Sequence, residues 1–447
     1  MYLNTKQTLS KIDNFNGIVA IWGLSVSTKI FLDKAQLLKS KITYIIDIND
    51  KLHNSYYKGI KIIKPEELLT LKHILVILMG GHTLNIRQFL DKHNINNYII
   101  NYSLSINYIP SNIIIKIDKL QKNYNRNDFN YLFCKKLIDI LYDHTRAKLL
   151  IEHYTYVTTA QTPFKEVIKK QFGKKIVLSE NMFYFSYHSI GKPNKQILRW
   201  KEGYLSNMIT FDSKGYSGWS SLCDETINKL LKNISQKKAN KYFDKLANKY
   251  IKNNQSKYIQ PTNSDFKFPE ENFIFFPLQT LNDSVMEHSY FNPLKLIKKV
   301  IKILSSKNIP LVIKQHPRCN DKELKKYLQK QLQKGKIILF NGSIHEAISK
   351  ATTIYTINSG VGFESLLHLK PVVTFGKSDY MSMTKNINQL KFIEVNPFYL
   401  LSNKRKNKIK RFIYYYIKYK SVFINDDKKL KQIIFKVLHR YLKNTRG

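Results

Sequence analysis

Leu311-Val312-Ile313-Lys314-Gln315-His316-Pro317-Arg318 and Thr353-Ile354-Tyr355-Thr356-Ile357-Asn358-Ser359-Gly360-Val361-Gly362-Phe363-Glu364 decide how the latter half of this chain folds. In each, a short apolar run stops at a polar segment. Such runs read as buried strands. Ser359 to Gly362 predicts a tight turn, and Phe363 onward opens a helix. In an open α/β sheet, ligands bind beyond the carboxyl ends of the strands. A helix N-terminus there offers free N–H groups and a positive dipole end. Lys314, His316 and Arg318 add charge and hydrogen bonds from another strand. The pattern predicts a site for a phosphate-bearing small molecule, in particular an activated sugar nucleotide.

Outward from this core, Phe273-Ile274-Phe275-Phe276-Pro277-Leu278 opens the α/β domain, with Gln279 and Asp283 at the end of its strand. Helices over 293–305, 321–334 and 344–350 alternate with strands at 311–313, 337–340, 353–357 and 371–375, as βαβ units require. The chain start shows the same rhythm: Ile18-Val19-Ala20-Ile21-Trp22 before Gly23, Thr43-Tyr44-Ile45-Ile46-Asp47, the 74–79 run before Gly80-Gly81-His82, and 97–101. Gly23 to Asp47 has the spacing of a dinucleotide fingerprint, but its glycine pattern is incomplete. Residues 1–105 therefore read as a Rossmann-like layer without a ligand. Residues 106–265 read as connector helices and an acceptor-side part, with strands at 148–152 and 175–180. Its aromatic strip, from Phe183 to Ser221, suits sugar faces. Residues 266–403 form the nucleotide-binding domain, and 404–447 are basic, aromatic helices.

The 447 residues carry 74 Lys and Arg against 32 Asp and Glu, a formal charge of +42. That excess suits an anionic lipid surface, an anionic substrate or a solvated basic face. No zinc-finger, RNP or helix-turn-helix pattern accompanies it, so nucleic acid is not expected as a partner. Cys134, Cys223 and Cys319 form no CxxC pair, which fits a reducing cytosol and gives no zinc signature. Met1-Tyr2-Leu3-Asn4 leads into polar sequence, so no signal peptide is expected. No run reaches the roughly 18 apolar residues of a membrane span. The tail from Lys404 to Lys420 could lie on an anionic membrane surface or pack back on the fold.

Five stretches, in order, resemble the bacterial capsule polysaccharide transferases that add 3-deoxy-manno-octulosonic acid (Kdo) from CMP-Kdo, in their single-module, lipid-linker-initiating form. Ser179-Glu180-Asn181-Met182-Phe183 is similar to the family's acidic E-E/D-G-Y/F segment. Ile209 to Leu222 is similar to its ITLE…GVNG.SSLP segment. Phe276-Pro277-Leu278-Gln279 with Asn282-Asp283-Ser284 is similar to PLQ…NDS. Ile313-Lys314-Gln315-His316-Pro317 and Thr356 to Val372 are similar to IKHHP and VNSTVGL.AL..GKPV. The resemblance covers about 175–385.

It implies an α/β fold of the glycosyltransferase B type, with two Rossmann-like halves facing a cleft and residues 1–105 as an extra Rossmann-like region. It implies a metal-independent enzyme of capsule or surface polysaccharide biosynthesis, with no cofactor beyond the nucleotide-sugar donor. Glu180, Asp212 and His316 would be catalytic, with His316 at the leaving CMP. Gln279, Asp283, Lys314, Pro317, Asn358, Ser359, Gly360, Gly362 and Glu364 would hold the donor. Expected partners are a lipid or glycan acceptor, other capsule assembly proteins and the inner face of the bacterial cytoplasmic membrane. Asn181 and Met182 replace the family's second acid and glycine, so Glu180 or Asp212 would have to act, and the stereochemical outcome stays open. The rival reading is a non-catalytic glycan-binding subunit of an export assembly.

Overall fold

The structure is a computed structural model. It describes all residues except 1, 35–40, 80–82, 103–112, 120–127, 145–147, 154–178, 180, 262–264, 446 and 447. The segment Gly80-Gly81-His82 and, of the strand expected over 175–180, residues 175–178 and 180 lie outside the described residues. The chain divides into two compact units, one of 1–115, 132–150 and 434–447, the other of 116–131 and 151–433.

The first unit holds a seven-stranded sheet in the order Tyr2–Asn4, Tyr98–Tyr102, Ile74–Met79, Ile18–Trp22, Ile42–Ile46, Ile60–Ile63, Tyr56–Tyr57. Its strands run parallel except for the last hairpin pair. Ile74–Met79 is buried at every position, as a strand covered on both faces must be. Asp47, the fingerprint acid, is engaged by its own backbone. Its Oδ2 accepts from the N–H of Leu24 at 2.7 Å and its Oδ1 from that of Asn49 at 2.9 Å.

In the second unit a parallel sheet runs Ile338–Leu339, Leu311–Lys314, Ile274–Pro277, Thr353–Thr356, Val372–Thr374, Lys385–Asn386. Strand alternation sends Phe275, Val312 and Ile354 into one core with Phe363 and Phe412. Ile274, Phe276, Ile313 and Tyr355 join Val300 and Leu304 of helix Pro293–Ser305 on the other face. Each such side chain contributes roughly 1.5–3 kcal/mol by burial. Ile274–Pro277 is flanked by Leu311–Lys314 on one side and Thr353–Thr356 on the other. The strand order therefore reverses at Ile274–Pro277, and the crevice beyond its carboxyl end is the expected ligand position.

The aromatic strip is itself a sheet. Met182–Tyr187 pairs parallel with Ile197–Glu202, which pairs antiparallel with Met208–Asp212. The connection 188–196 is shorter than the dozen or more residues a helical crossover takes, so this sheet is mixed rather than wound. The tail returns to it. Helix Asn403–Tyr415 leads to strand Ser421–Phe423, which pairs antiparallel with Met208–Thr210. Ile409, Phe412, Ile413, Tyr416 and Ile417 form a helical stripe, and all five are buried. The tail's inner rings thus pack into the fold, while Lys404 and Lys418 stay exposed. Among the described residues, no helix is long and apolar enough to cross a membrane.

Candidate functional site

The carboxyl ends of the parallel strands open into a cleft of about 410 Å³ within the second unit. Gln279, Asp283, Lys314, His316, Pro317, Asn358, Ser359, Gly360 and Glu364 all line it. Its floor is a pair of side-chain amides. Gln279 Nε2 donates to Asn358 Oδ1 at 3.0 Å, and the Asn358 N–H donates to Gln279 Oε1 at 3.1 Å. Asn358 Nδ2 donates onward to the carbonyl of Val285 at 2.7 Å. Both amides brace neighbouring strand ends, so little of either is left for a ligand.

His316 and Ser359 follow strands that lie two places apart, roughly 10 Å at sheet spacing, across Ile274–Pro277. Ser359 caps helix Gly360–Leu367, its hydroxyl accepting from the N–H of Val361. The free N–H groups of that first turn point to an anion. His316 Nδ1 accepts from the N–H of Arg318 at 3.1 Å, which leaves the ring proton on Nε2. Burial and the nearby Arg318 push the imidazole down to about 4. At neutral pH it is therefore an uncharged donor. Lys314 Nζ donates to the carbonyls of Asn341 and Gly342 and closes that loop.

The mixed sheet supplies another wall. Lys201, Glu202, Gly203, Tyr204 and Thr210 line the cleft, with Lys257 and Tyr258 from the connecting segment. Burial works to raise the Glu202 pKa, but Lys257, 3.5 Å away, and Lys201 outweigh it and hold the carboxyl far below its usual range. The hydroxyl of Tyr187 also donates to it at 3.0 Å. Glu202 is thus ionised. Two further acids behave oppositely. Burial pushes Glu364 up to about 8, with Oε1 free of any hydrogen bond. Burial also pushes Asp379 up to about 7, although the hydroxyls of Tyr204 and Tyr416 donate to it at 2.5 and 2.8 Å.

The other expected residues stand elsewhere. Glu180 lies outside the described residues. Its neighbour Asn181 precedes the first residue of Met182–Tyr187, at the opposite end of the sheet from Glu202 and roughly 26 Å away along the strand direction. Asp212 does not line the cleft. Its Oδ1 accepts from the N–H groups of Lys214, Gly215 and Ser221, and its Oδ2 from the hydroxyls of Ser220 and Ser221. That carboxylate is saturated by the loop it holds. Gly362 backs the helix, where a Cβ would lie 2.4 Å from the Tyr380 hydroxyl. The sequence reading missed Glu202, Lys257, Asp379 and Tyr416. A signal existed for the first, since Glu202-Gly203-Tyr204 repeats the acid, glycine and aromatic order sought at residue 180. Among the described residues, no group of three or more His, Cys, Asp or Glu side chains could hold a metal ion.

Comparison with known proteins adds a partial family match. Residues 202–391 match the model of the capsule polysaccharide biosynthesis protein family. No curated protein matches the chain. Among solved structures, it is similar to the beta Kdo 2,7 transferase of Thermosulfurimonas dismutans KpsC, at 17% identity over 73% of this chain and 99% of that one, with a TM-score of 0.40. The beta Kdo 2,4 transferase of the same protein gives 13% identity, 73% and 98% coverage and a TM-score of 0.40. The UDP-GlcNAc 2-epimerase of Methanocaldococcus jannaschii, in complex with UDP-GlcNAc and UDP, gives 13% identity, 94% and 99% coverage and a TM-score of 0.24. The segment similar to that family begins at Glu202 and contains the strand ends that carry His316 and Ser359.

Proposed function

We propose that the protein is a glycosyltransferase that moves a sugar, Kdo from CMP-Kdo, onto a hydroxyl of a lipid or glycan acceptor. One observation carries this reading: a single cleft sets an anion-binding edge, the helix start at Ser359 with the His316 Nε2–H, opposite the ionised carboxylate of Glu202. The edge receives the phosphate of the nucleotide. As the bond between the anomeric carbon and the phosphate oxygen breaks, His316 and the helix dipole stabilise the charge gathering on CMP. Glu202 faces the positive charge that develops on the sugar. A carboxylate with a strongly lowered pKa is a poor proton acceptor at neutral pH, which favours nucleophilic or electrostatic service. Asp379, poised near neutrality, is the better candidate to take the acceptor proton. The basic outer face of the tail suits an anionic membrane surface, where a lipid acceptor resides.

The test is a donor screen that follows nucleotide release from CMP-Kdo, CMP-sialate and UDP-sugars with a lipid acceptor present. CMP-Kdo should be consumed, CMP should raise the melting temperature, and Glu202→Gln should stop release while keeping that thermal shift. Glycan binding without CMP release would favour a non-catalytic subunit. A melting temperature indifferent to every nucleotide would remove the transferase reading.

A further inference from the structure

The charged groups lining the cleft are almost all answered from within. Lys314 is bonded to two carbonyls, and Lys257 pairs with Glu202. Asp283 accepts from the N–H of Val285, and Asp379 is held by two tyrosines. Among the cationic groups, Lys201 is the exception. Its side chain lines the cleft and its ammonium group stands 4.1 Å from the centroid of the Tyr216 ring. Among the described residues it makes no ion pair and no side-chain hydrogen bond. Glu202, Asp283 and Asp379 act on it only through space, so a desolvated ammonium against an aromatic face gains from an anion that bonds it directly. Its place is fixed by the sheet, with Lys201 opposite Thr210 and the Thr210 hydroxyl donating to the Lys201 carbonyl at 3.1 Å.

We propose that Lys201 binds a carboxylate carried by the sugar in this cleft, so that the site selects acidic sugars over neutral ones. This rests on the reading of the cleft as a sugar-nucleotide site. The phosphate edge at His316 and Ser359 belongs to the parallel sheet, whereas Lys201 belongs to the mixed sheet, so two anionic groups of one substrate can be held apart. Two features favour a carboxylate at Lys201 over a second phosphate. The ammonium is a single point charge with no cluster of backbone N–H groups described around it. The carboxylate of Glu202, the next residue, repels a dianion more strongly than a monoanion. Burial lowers the Lys201 pKa, and an arriving carboxylate favours the charged form. The residue also departs from the acid that the resembling motif carries before its second acid, since Lys201 precedes Glu202-Gly203-Tyr204.

The carboxylate can come from the donor sugar or from an acidic acceptor sugar, and calorimetry on the full chain separates them. The probes are CMP, CMP-Kdo, free Kdo with CMP present, and the methyl ester of Kdo. In Lys201→Met, a donor carboxylate predicts unchanged affinity for CMP and a loss of about ten- to hundred-fold for CMP-Kdo. An acceptor carboxylate predicts that loss for free Kdo alone. In either case the wild type prefers the acid to its methyl ester and Lys201→Met does not, while Lys201→Arg keeps part of the preference. A purely structural lysine would not change that ratio. Should Lys201→Met fail to fold, Lys201→Gln takes its place. Equal affinities in wild type and variant for every probe, or a wild type blind to the methyl ester, overturns the proposal. Failure of CMP to bind, with free Kdo still separating wild type from variant, would remove the nucleotide reading and keep the carboxylate site.

Discussion

Gln279 and Asn358 bond each other twice, side chain to side chain and side chain to backbone, at 3.0 and 3.1 Å beneath the cleft. Both are buried, so a missing partner leaves a desolvated polar group. Asn358→Ala should cost about 1–3 kcal/mol, read by chemical denaturation. The double substitution with Gln279→Ala should cost less than the sum of the single ones. Additive losses would mean that the two amides do not work as a unit.

His316 should take up a proton when CMP binds. The free imidazole is depressed to about 4, and a nearby phosphate favours its charged form, so the bound pKa is higher. Uptake should therefore grow as the pH falls from 7 towards 5. Calorimetry in buffers of different ionisation enthalpy measures it, and His316→Ala should abolish it and weaken CMP about ten-fold or more. Binding with no proton uptake in the wild type would take the imidazole away from the phosphate.

Asp379 makes stability fall as the pH rises. Its folded value of about 7 lies above the ordinary carboxyl value, so the folded chain binds more protons across the window between them. The stability it contributes is present at low pH and lost as the pH passes 7. The cost is on the order of a few kcal/mol, and Asp379→Asn should not show it. Melting curves from pH 5 to 8.5 should show wild type losing ground to the variant. The groups facing this carboxyl are Tyr204, Tyr416 and, at longer range, Asp212.

Asp212→Asn tests whether that carboxylate holds a loop or performs chemistry. An amide cannot accept from all of the donors gathered by the loop 214–221, so the melting temperature should drop by several degrees. Full thermal stability with lost turnover would instead make it a reacting group.

Gly362→Ala should destabilise more than Gly360→Ala. An added methyl at 362 meets the Tyr380 hydroxyl at 2.4 Å and ring carbons at 2.9 and 3.0 Å, whereas at 360 the nearest atom is a Tyr204 ring carbon at 3.2 Å. Overpacking of the first kind costs about 1–3 kcal/mol, read from denaturation midpoints.

The parallel sheet was legible because Ile274 to Pro277, Leu311 to Ile313 and Thr353 to Thr356 are apolar runs that end in turn residues, and both their faces are covered. The mixed sheet was not. Ile197-Leu198-Arg199-Trp200-Lys201-Glu202 alternates poorly, since Trp200 and Arg199 are both buried and the last two residues face the cleft. That His316 and Ser359 would share a cleft could be read from the sequence, since each follows a strand. Asp379, Tyr204 and Tyr416 meet only in space, from three separate parts of the chain, and nothing local announces the meeting.

The return of the C-terminal segment has a consequence for synthesis. Tyr416 closes one flank of the cleft, and Ser421–Phe423 zips onto a strand laid down some two hundred residues earlier. A polypeptide still emerging from the ribosome lacks that flank, so a half-made copy cannot hold a substrate. Competence arrives only once residues 403–423 have been made.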